Sequence, residues 1–344
     1  MTAPTASTPT APATTRAIAA LAPGDVDAES SFAEVEIEVG PPGPHDLLVE
    51  VRAVSVNPVD FKVRSGFDPA EAPKVLGYDA AGVVVATGAE VTAFSTGDEV
   101  YYAGSIARTG ANAGLHLVDE RITGRKPASL DFAQAAAAPL TTITAWETLF
   151  DKLRLTREST GTLLVMGAAG GVGSMLVQLA RKLTGVTVIA AAGRKESAEW
   201  AASMGAHHTV DRHRLNDEVR ALAPRGVDYV FSPFSAGMAE TYASLMAVHG
   251  QVVAIDGPEG LDTLPLKARS QSWHWELMFT RPLFDPESTA QREILDEAAR
   301  LFDAGVLRST LSRKLTPVSP ENLRDAHRAL EGWGMIGKIA VANS

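Results

Sequence analysis

The spacing of apolar positions changes near residue 131. Before it, residues 47–56 (LLVEVRAVSV), 82–87 (GVVVAT) and 99–102 (EVYY, after a Thr96-Gly97-Asp98 turn) are short Val-rich runs with Gly and Pro punctuation. Such runs predict the strands of a β-rich, barrel-like unit. After it, Ala-rich residues 132–138 lead into helical spacing at Trp146, Leu149, Phe150 and Leu153. Strand and helix patterns then alternate. Strands are predicted at 162–166, 186–191, 227–231 and 251–255, and helices at 174–183, 196–204 and 288–303. Alternation of this kind predicts a parallel sheet in a doubly wound α/β unit. Residues 336–341 (IGKIAV) predict a last strand that returns to the first unit. The expected division is a β-rich unit over 16–141 and 304–344, and a doubly wound unit over 142–303. Residues 1–15, Ala/Thr/Pro-rich and uncharged, are expected to be a disordered tail.

Composition narrows the function. The 344-residue chain is 45% hydrophobic and 21% charged, with a formal net charge of −10. This suits a globular protein of about two domains. It argues against nucleic acid or an anionic membrane surface as partner, since both require a basic face. No apolar run approaches the ~20 residues that span a bilayer, and the tail lacks the n- and h-regions of a signal peptide. A cytoplasmic location is the expectation. Cys is absent, which excludes thiolate nucleophiles and Cys-based zinc sites.

The most informative segment is residues 167–173 (GAAGGVG), between an apolar strand and an amphipathic helix. Ala168-x-Gly170-x-x-Gly173 has the spacing of the dinucleotide fingerprint with alanine in the first place. Ala169, Gly170, Gly171 and Val172 are the expected pyrophosphate neighbours, at a helix N-terminus that favours anions. The following strand ends at Gly193-Arg194-Lys195, where an NAD-specific site carries an acidic residue for the ribose hydroxyls. Two cations there suit a 2′-phosphate, so NADPH is the expected cofactor, with Arg212 as a further contact. The competing reading is a solvated charge pair at a helix start.

Residues 55–60 (SVNPVD), 76–84 (LGYDAAGVV), 97–100 (GDEV) and 167–173, in this order and spacing, resemble the medium-chain dehydrogenase/reductases. The similarity runs from about Arg16 to Ala342. It is nearest to the zinc-type alcohol dehydrogenase-like proteins beside the quinone oxidoreductases, a subgroup reinforced by residues 116–121 (HLVDER) and 272–276 (SWHWE). The resemblance implies a GroES-like catalytic domain plus a Rossmann domain. It also implies Thr144 and Lys338 as cofactor contacts, Lys338 at the pyrophosphate; Ser232 and Pro233 are candidate contacts because they end a sheet strand, where such folds bind ligands. At the positions matching the catalytic zinc ligands this chain offers Asn57, Tyr78-Asp79 and Thr141. The eight histidines contain no close pair beyond His207-His208, which would point to opposite faces of a strand. No metal is expected.

Without a metal to hold alkoxide charge, a quinone or conjugated enone is the easier hydride acceptor, because it delocalises the incoming charge itself. The resemblance places residues 57–60 in the interdomain cleft near the nicotinamide. Lys62, Tyr78 and Asn57 are then the candidate catalytic groups, with Lys62 first as an electrophilic or proton-donating side chain if buried. The alternative is that Lys62 is exposed and Asn57 caps a turn. Asp60, Tyr101, Tyr102, His274 and Trp275 are candidate substrate contacts, although aromatic residues more often pack in cores or interfaces. Residues 271–279 (QSWHWELMF) predict a strand with Trp273, Trp275, Leu277 and Phe279 on one face, which a monomer could bury internally; the resemblance implies instead a homodimer through the nucleotide-binding domain. Two alternatives stay open: a zinc-independent carbonyl reductase or alcohol dehydrogenase, and a non-catalytic NADPH-binding protein.

Overall fold

The computed structural model describes residues 13–332 and 334–343. The expected tail therefore falls largely outside the described residues, and the first strand already begins at Ala13. The chain divides into two compact units, one formed by residues up to Leu140 together with those from Phe279 onward, the other by Thr141–Met278.

The first unit holds two sheets. In the smaller, β1 (Ala13–Ala20) lies between β2 (Ala33–Val39) and β4 (Lys74–Val75). The larger has the order β15-β16-β3-β5-β6-β8, with β7 also paired to β3. Its strands are β3 (Asp46–Ser55), β5 (Ala80–Thr87), β6 (Glu99–Tyr102), β7 (Leu115–Asp119), β8 (Thr123–Arg125), β15 (Leu311–Leu315) and β16 (Lys338–Ala342). The Val-rich run of β3 is buried because neighbours cover both its edges and its face. Leu47, Val49, Val51 and Val54 pack with Ile339 and Val341 of β16 in one core. β16 runs antiparallel to β3, with Ala340 opposite Ser55, so the last strand returns to the first unit as expected.

One boundary moves. The helix Ala290–Asp303 belongs to the first unit, not to the doubly wound one. Tyr101 of β6 donates from its hydroxyl to the Leu295 carbonyl at 2.6 Å, and the Arg125 N–H donates to Asp296 at 2.9 Å. The apolar period of this helix requires burial of Ile294, Leu295, Ala298 and Phe302; it does not say against which sheet.

The second unit is a six-stranded, wholly parallel sheet in the order β11-β10-β9-β12-β13-β14. The strands are β9 (Thr162–Val165), β10 (Thr187–Ala192), β11 (His208–Asp211), β12 (Val227–Ser232), β13 (Met246–Ala254) and β14 (Ser272–Trp275). From β9 the chain winds outward through β10 and β11, then crosses to β12 on the other side. The order thus reverses between β9 and β12, which is where such sheets bind ligands, beyond the C-terminal strand ends. β14 is shorter than expected. It stops at Trp275, opposite the end of β13 at Ala254. Trp273 and Trp275 do share a face, with ring centroids 5.8 Å apart, but Leu277 is exposed and Phe279 is buried in the first unit. Among the described residues no helix is long and apolar enough to cross a membrane.

Candidate active site

Glycine chemistry shapes the turn after β9. Gly167 adopts φ +64°, a conformation that side chains with a Cβ disfavour. Gly170 is the N-cap of the helix Gly171–Leu183. A methyl group on Gly173 would lie 2.4 Å from the Gly167 carbonyl oxygen and 2.7 Å from the Ala168 Cα, so Gly173 is what lets the helix pack against the turn. The helix has its first intrahelical-type bond at Ser174 N–H to Gly170 O, 2.9 Å. The preceding amides, including those of Gly171 and Val172, have no acceptor within the helix and form an anion-binding end. Ala168 and Ala169 are small and buried. These residues fit a dinucleotide pyrophosphate.

One of the cations predicted from the sequence, Arg212, comes beside Gly193. β10 and β11 are parallel and in register, with Ala192 opposite Asp211. Gly193 and Arg212, the next residues on each strand, are therefore side by side. A methyl group on Gly193 would lie 2.5 Å from Arg212 Nε, so the glycine makes room for the guanidinium. Arg194 caps the helix Lys195–Met204 and is exposed. Lys195 is 83% exposed and sits 3.7 Å from Glu199, a surface pair that contributes little. Arg194 and Arg212 are thus the cations directly beyond the ends of β10 and β11.

Other residues expected at the cofactor behave differently from one another. Pro233 borders the cradle, since a methyl group on Gly167 would lie 3.0 Å from its Cγ. Ser232 is fully buried, with its Oγ 2.7 Å from the Tyr242 hydroxyl, so its side chain serves the interior. Thr144 is buried in the helix Pro139–Trp146. His274 and Trp275 lie on the edge strand β14. His274 bonds Gln251 at 3.1 Å, and Trp275 is 49% exposed. Both therefore lie on the outermost strand of the sheet.

In the first unit, a buried polar cluster links four segments. Asp79 is fully buried. Its carboxylate accepts from Asn57 Nδ2 at 2.8 Å, Lys338 Nζ at 3.0 Å and the Leu140 N–H at 2.8 Å. Lys338 Nζ also donates to Asn57 Oδ1 at 2.5 Å and to the Val56 carbonyl at 2.9 Å. All three ammonium donors are thus spent internally. The expectation that Lys338 meets the pyrophosphate is corrected: it braces the start of β16 against Asn57 and Asp79. Burial pushes the Asp79 carboxyl upward, and the Lys338 ammonium with Asn57 and the Leu140 N–H opposes that rise.

Asn57 and Asp60 are corrected in the same way. Asn57 is the N-cap of the helix Pro58–Gly66, and the Asp60 carboxylate accepts from the Asn57 N–H at 2.8 Å and the Gly77 N–H at 3.0 Å. Both side chains organise the backbone and have no donor or acceptor set aside for a substrate. Burial raises Asp60 to about 7 against those two N–H groups. Lys62 is exposed on the same helix, so the burial needed for an activated amine is missing. Tyr101 donates to Leu295, and Tyr102 lies 3.0 Å from His116 Nδ1, whose Nε2 reaches the Thr109 carbonyl at 2.8 Å. Both tyrosines are core residues.

Tyr78 is the exception. It is 1% exposed, its ring packs edge-on against Phe279 at 5.8 Å, and its hydroxyl has no hydrogen-bond partner among the described residues. Burial, then the charges of Asp60 and Glu71, hold its pKa above the ordinary phenol value, so it stays a neutral donor. The strand-and-glycine pattern could not show Asp79 as the hub of the cluster. Its signals were a charged residue inside an apolar run, 76–84, and a position matching a zinc ligand of the resembled family.

The zinc positions of the resembled family hold an amide, a phenol beside a carboxylate, and a threonine. The carboxylate is already saturated by an ammonium and two N–H donors. Among the described residues no group of three His, Asp or Glu side chains is placed to hold a metal. This donor set does not fit a zinc ion.

Two family models match the chain: the alcohol dehydrogenase GroES-like domain over residues 43–136 and the zinc-binding dehydrogenase over residues 171–277. A solved structure from Rhizobium etli, described as a zinc-dependent alcohol dehydrogenase, shares 45% identity. It matches 96% of this chain and 99% of its own, with a TM-score of 0.92. A zinc-type alcohol dehydrogenase-like protein of Staphylococcus aureus is 38% identical over 86% of this chain and 90% of its own. An NADPH-dependent alkenal/one oxidoreductase of Arabidopsis thaliana is 37% identical over 86% of this chain and 71% of its own. The fold and the cradle define an oxidoreductase that binds a nicotinamide cofactor on a Rossmann unit. The chain belongs to the medium-chain dehydrogenase/reductase superfamily, among its zinc-type alcohol dehydrogenase-like members.

Proposed function

We propose that the protein is an NADPH-dependent reductase that delivers hydride to a quinone or an α,β-unsaturated carbonyl compound. The observation that carries the cofactor choice is the meeting of Gly193, Arg194 and Arg212 at the ends of β10 and β11, with no carboxylate ending β10. Bound NADPH supplies the hydride. The chain's residues do the rest: the Gly167–Gly173 turn seats the pyrophosphate, and the cations select the 2′-phosphate.

The acceptor class follows from the donor set. The residues at the zinc positions do not suit a Lewis acid, so charge developing on a carbonyl oxygen must fall on a hydrogen-bond donor. Tyr78 is the group that fits: buried, protonated and without an internal acceptor. One neutral donor is better matched to an acceptor that spreads the negative charge by conjugation. The activity for which the Arabidopsis relative is named supports the same class.

NADPH oxidation by the purified protein is expected with a quinone or an enone and not with a simple aldehyde. Turnover of the aldehyde alone would favour a carbonyl reductase, and binding without any turnover a non-catalytic role. Arg194→Ala should weaken NADPH by roughly 10- to 100-fold, from the ~1.5–3 kcal/mol of a charge-assisted bond, and leave NADH nearly unchanged. Equal wild-type affinity for the two cofactors would remove the basis for the proposal.

The edge strand β14 supports a homodimer. It leaves one side of the sheet unpaired and carries Trp275, 49% exposed, beside Leu277, 51% exposed. Pairing of two such edges about a twofold axis would cover both. Sedimentation at micromolar concentration should give twice the chain mass; a lone monomer would count against this assembly.

A further inference from the structure

We infer that Asp60 is a positioning residue that aims the Tyr78 hydroxyl, acting through Gly77 and Asn57, an inference that rests on the reading of Tyr78 as the donor to the developing oxyanion. Asp60, Asn57 and the Gly77–Tyr78 peptide close a ring of hydrogen bonds. One carboxylate oxygen of Asp60 accepts from the Asn57 N–H at 2.8 Å, and the other from the Gly77 N–H at 3.0 Å. Asn57 Nδ2 then donates to the Tyr78 carbonyl at 3.2 Å. The backbone is thus held just before Tyr78 by Asp60, and at Tyr78 by an Asn57 that Asp60 also holds.

A second set of bonds fixes the same segment. The Asn112 N–H donates to the Leu76 carbonyl at 2.8 Å, and the Ala111 N–H to the Gly77 carbonyl at 2.9 Å. Gly77 has φ +109°, and a Cβ there would lie 2.5 Å from Asn112 Oδ1, so a glycine is needed for this approach. After Tyr78, the Ser55 N–H donates to the Asp79 carbonyl at 3.0 Å. The Tyr78 ring is placed separately, edge-on to Phe279 at 5.8 Å. With backbone and ring both located, the hydroxyl is preorganised.

The chemistry of the clamp is costly for a purely structural bond. Asp60 is 1% exposed, and burial raises its carboxyl to about 7 despite both N–H donors. A neutral side chain would bond an N–H at lower cost. What the carboxylate adds is two acceptors in one plane. They join the first turn of the helix Pro58–Gly66 to a peptide 17 residues further on, so the aim of Tyr78 is referred to a rigid element.

A buried phenol stabilises a developing oxyanion only if its hydrogen already points at the place where that charge appears. The Tyr78 hydroxyl has no acceptor among the described residues to hold it there. Its aim therefore comes from the backbone beneath it, which Asp60 controls. A displacement of about 1 Å in such a group costs on the order of 100-fold in rate.

The test is a double-mutant cycle on the intact protein, with NADPH and an enone as substrates. Asp60→Asn keeps the volume but accepts only one of the two N–H groups; it should lower kcat about ten-fold, and Asp60→Ala about 100-fold. NADPH affinity, read by fluorescence titration, should stay within about two-fold of wild type in both. In the Tyr78→Phe background neither Asp60 substitution should lower kcat further by more than about two-fold, because the clamp then aims no donor. If Asp60→Ala does not fold, the isosteric Asp60→Asn carries the cycle. Wild-type kcat in the Asp60 variants overturns the inference alone. An equal loss with and without the Tyr78 hydroxyl also overturns it, since it marks Asp60 as structural only. Wild-type kcat in Tyr78→Phe, or a wild-type protein that turns over no enone, overturns the reading of Tyr78 and this inference with it.

Discussion

Lys338→Met should lower the stability of the first unit by about 3–5 kcal/mol, the cost of removing one partner from a buried ion pair. Lys338 is 4% exposed, and its ammonium faces Asp79, Asn57 Oδ1 and the Val56 carbonyl. Methionine fills nearly the same volume but donates nothing. Asp79 then keeps only Asn57 and the Leu140 N–H against a fully buried carboxylate. The double variant Lys338→Met/Asp79→Leu should recover much of the loss, because two apolar residues leave no uncompensated charge. Urea unfolding of the three proteins measures this. A pyrophosphate-contacting lysine would show the opposite signature, with stability near wild type and NADPH affinity reduced. That outcome would restore the role first expected for this residue.

The contrast between Lys338 and Arg212 shows what the pattern of residues could and could not convey. Both were cations expected at the cofactor. Arg212 follows a strand whose register with β10 is set by parallel pairing, and that register brings it beside Gly193. Lys338 begins β16, whose return to the first unit was legible, but the register against β3 that sets its ammonium on Asn57 and Asp79 is encoded by no local pattern. Its partner Asn57 was read as a site residue because of the motif it sits in, and Asp79 only as a residue standing at a lost zinc position. What the motif builds is a buried scaffold, with a lysine ammonium bound where the resembled enzymes would place metal ligands. The helix Ala290–Asp303 teaches the same point for the fold. Its amphipathic period was legible, but the choice of sheet depended on Tyr101 and Arg125, far away in sequence. Short strands such as β4 and β8 carry too few residues for a period to register.

Tyr78→Phe should reduce turnover of an enone by about 100- to 1000-fold, the usual effect of deleting one preorganised donor to a developing oxyanion. The fold should tolerate the change. The Tyr78 hydroxyl has no acceptor among the described residues, so its removal frees the interior of an unsatisfied polar atom and should leave stability equal or slightly higher. The ring keeps its edge-on contact with Phe279. NADPH affinity should also survive, because the pyrophosphate turn and the cations belong to the other unit. Lost turnover with intact stability and cofactor binding is a combination that a structural role for Tyr78 would not produce. Lys62→Met should turn over near the wild-type rate, since that lysine is exposed. Deuterium at the transferred C4 position of NADPH should appear at the β-carbon of the enone, with the α-hydrogen drawn from solvent. Label at the carbinol carbon would identify a carbonyl reductase instead. Wild-type turnover by Tyr78→Phe would show that the oxyanion is held by a different group, and a reduced rate in Lys62→Met would return the role to Lys62.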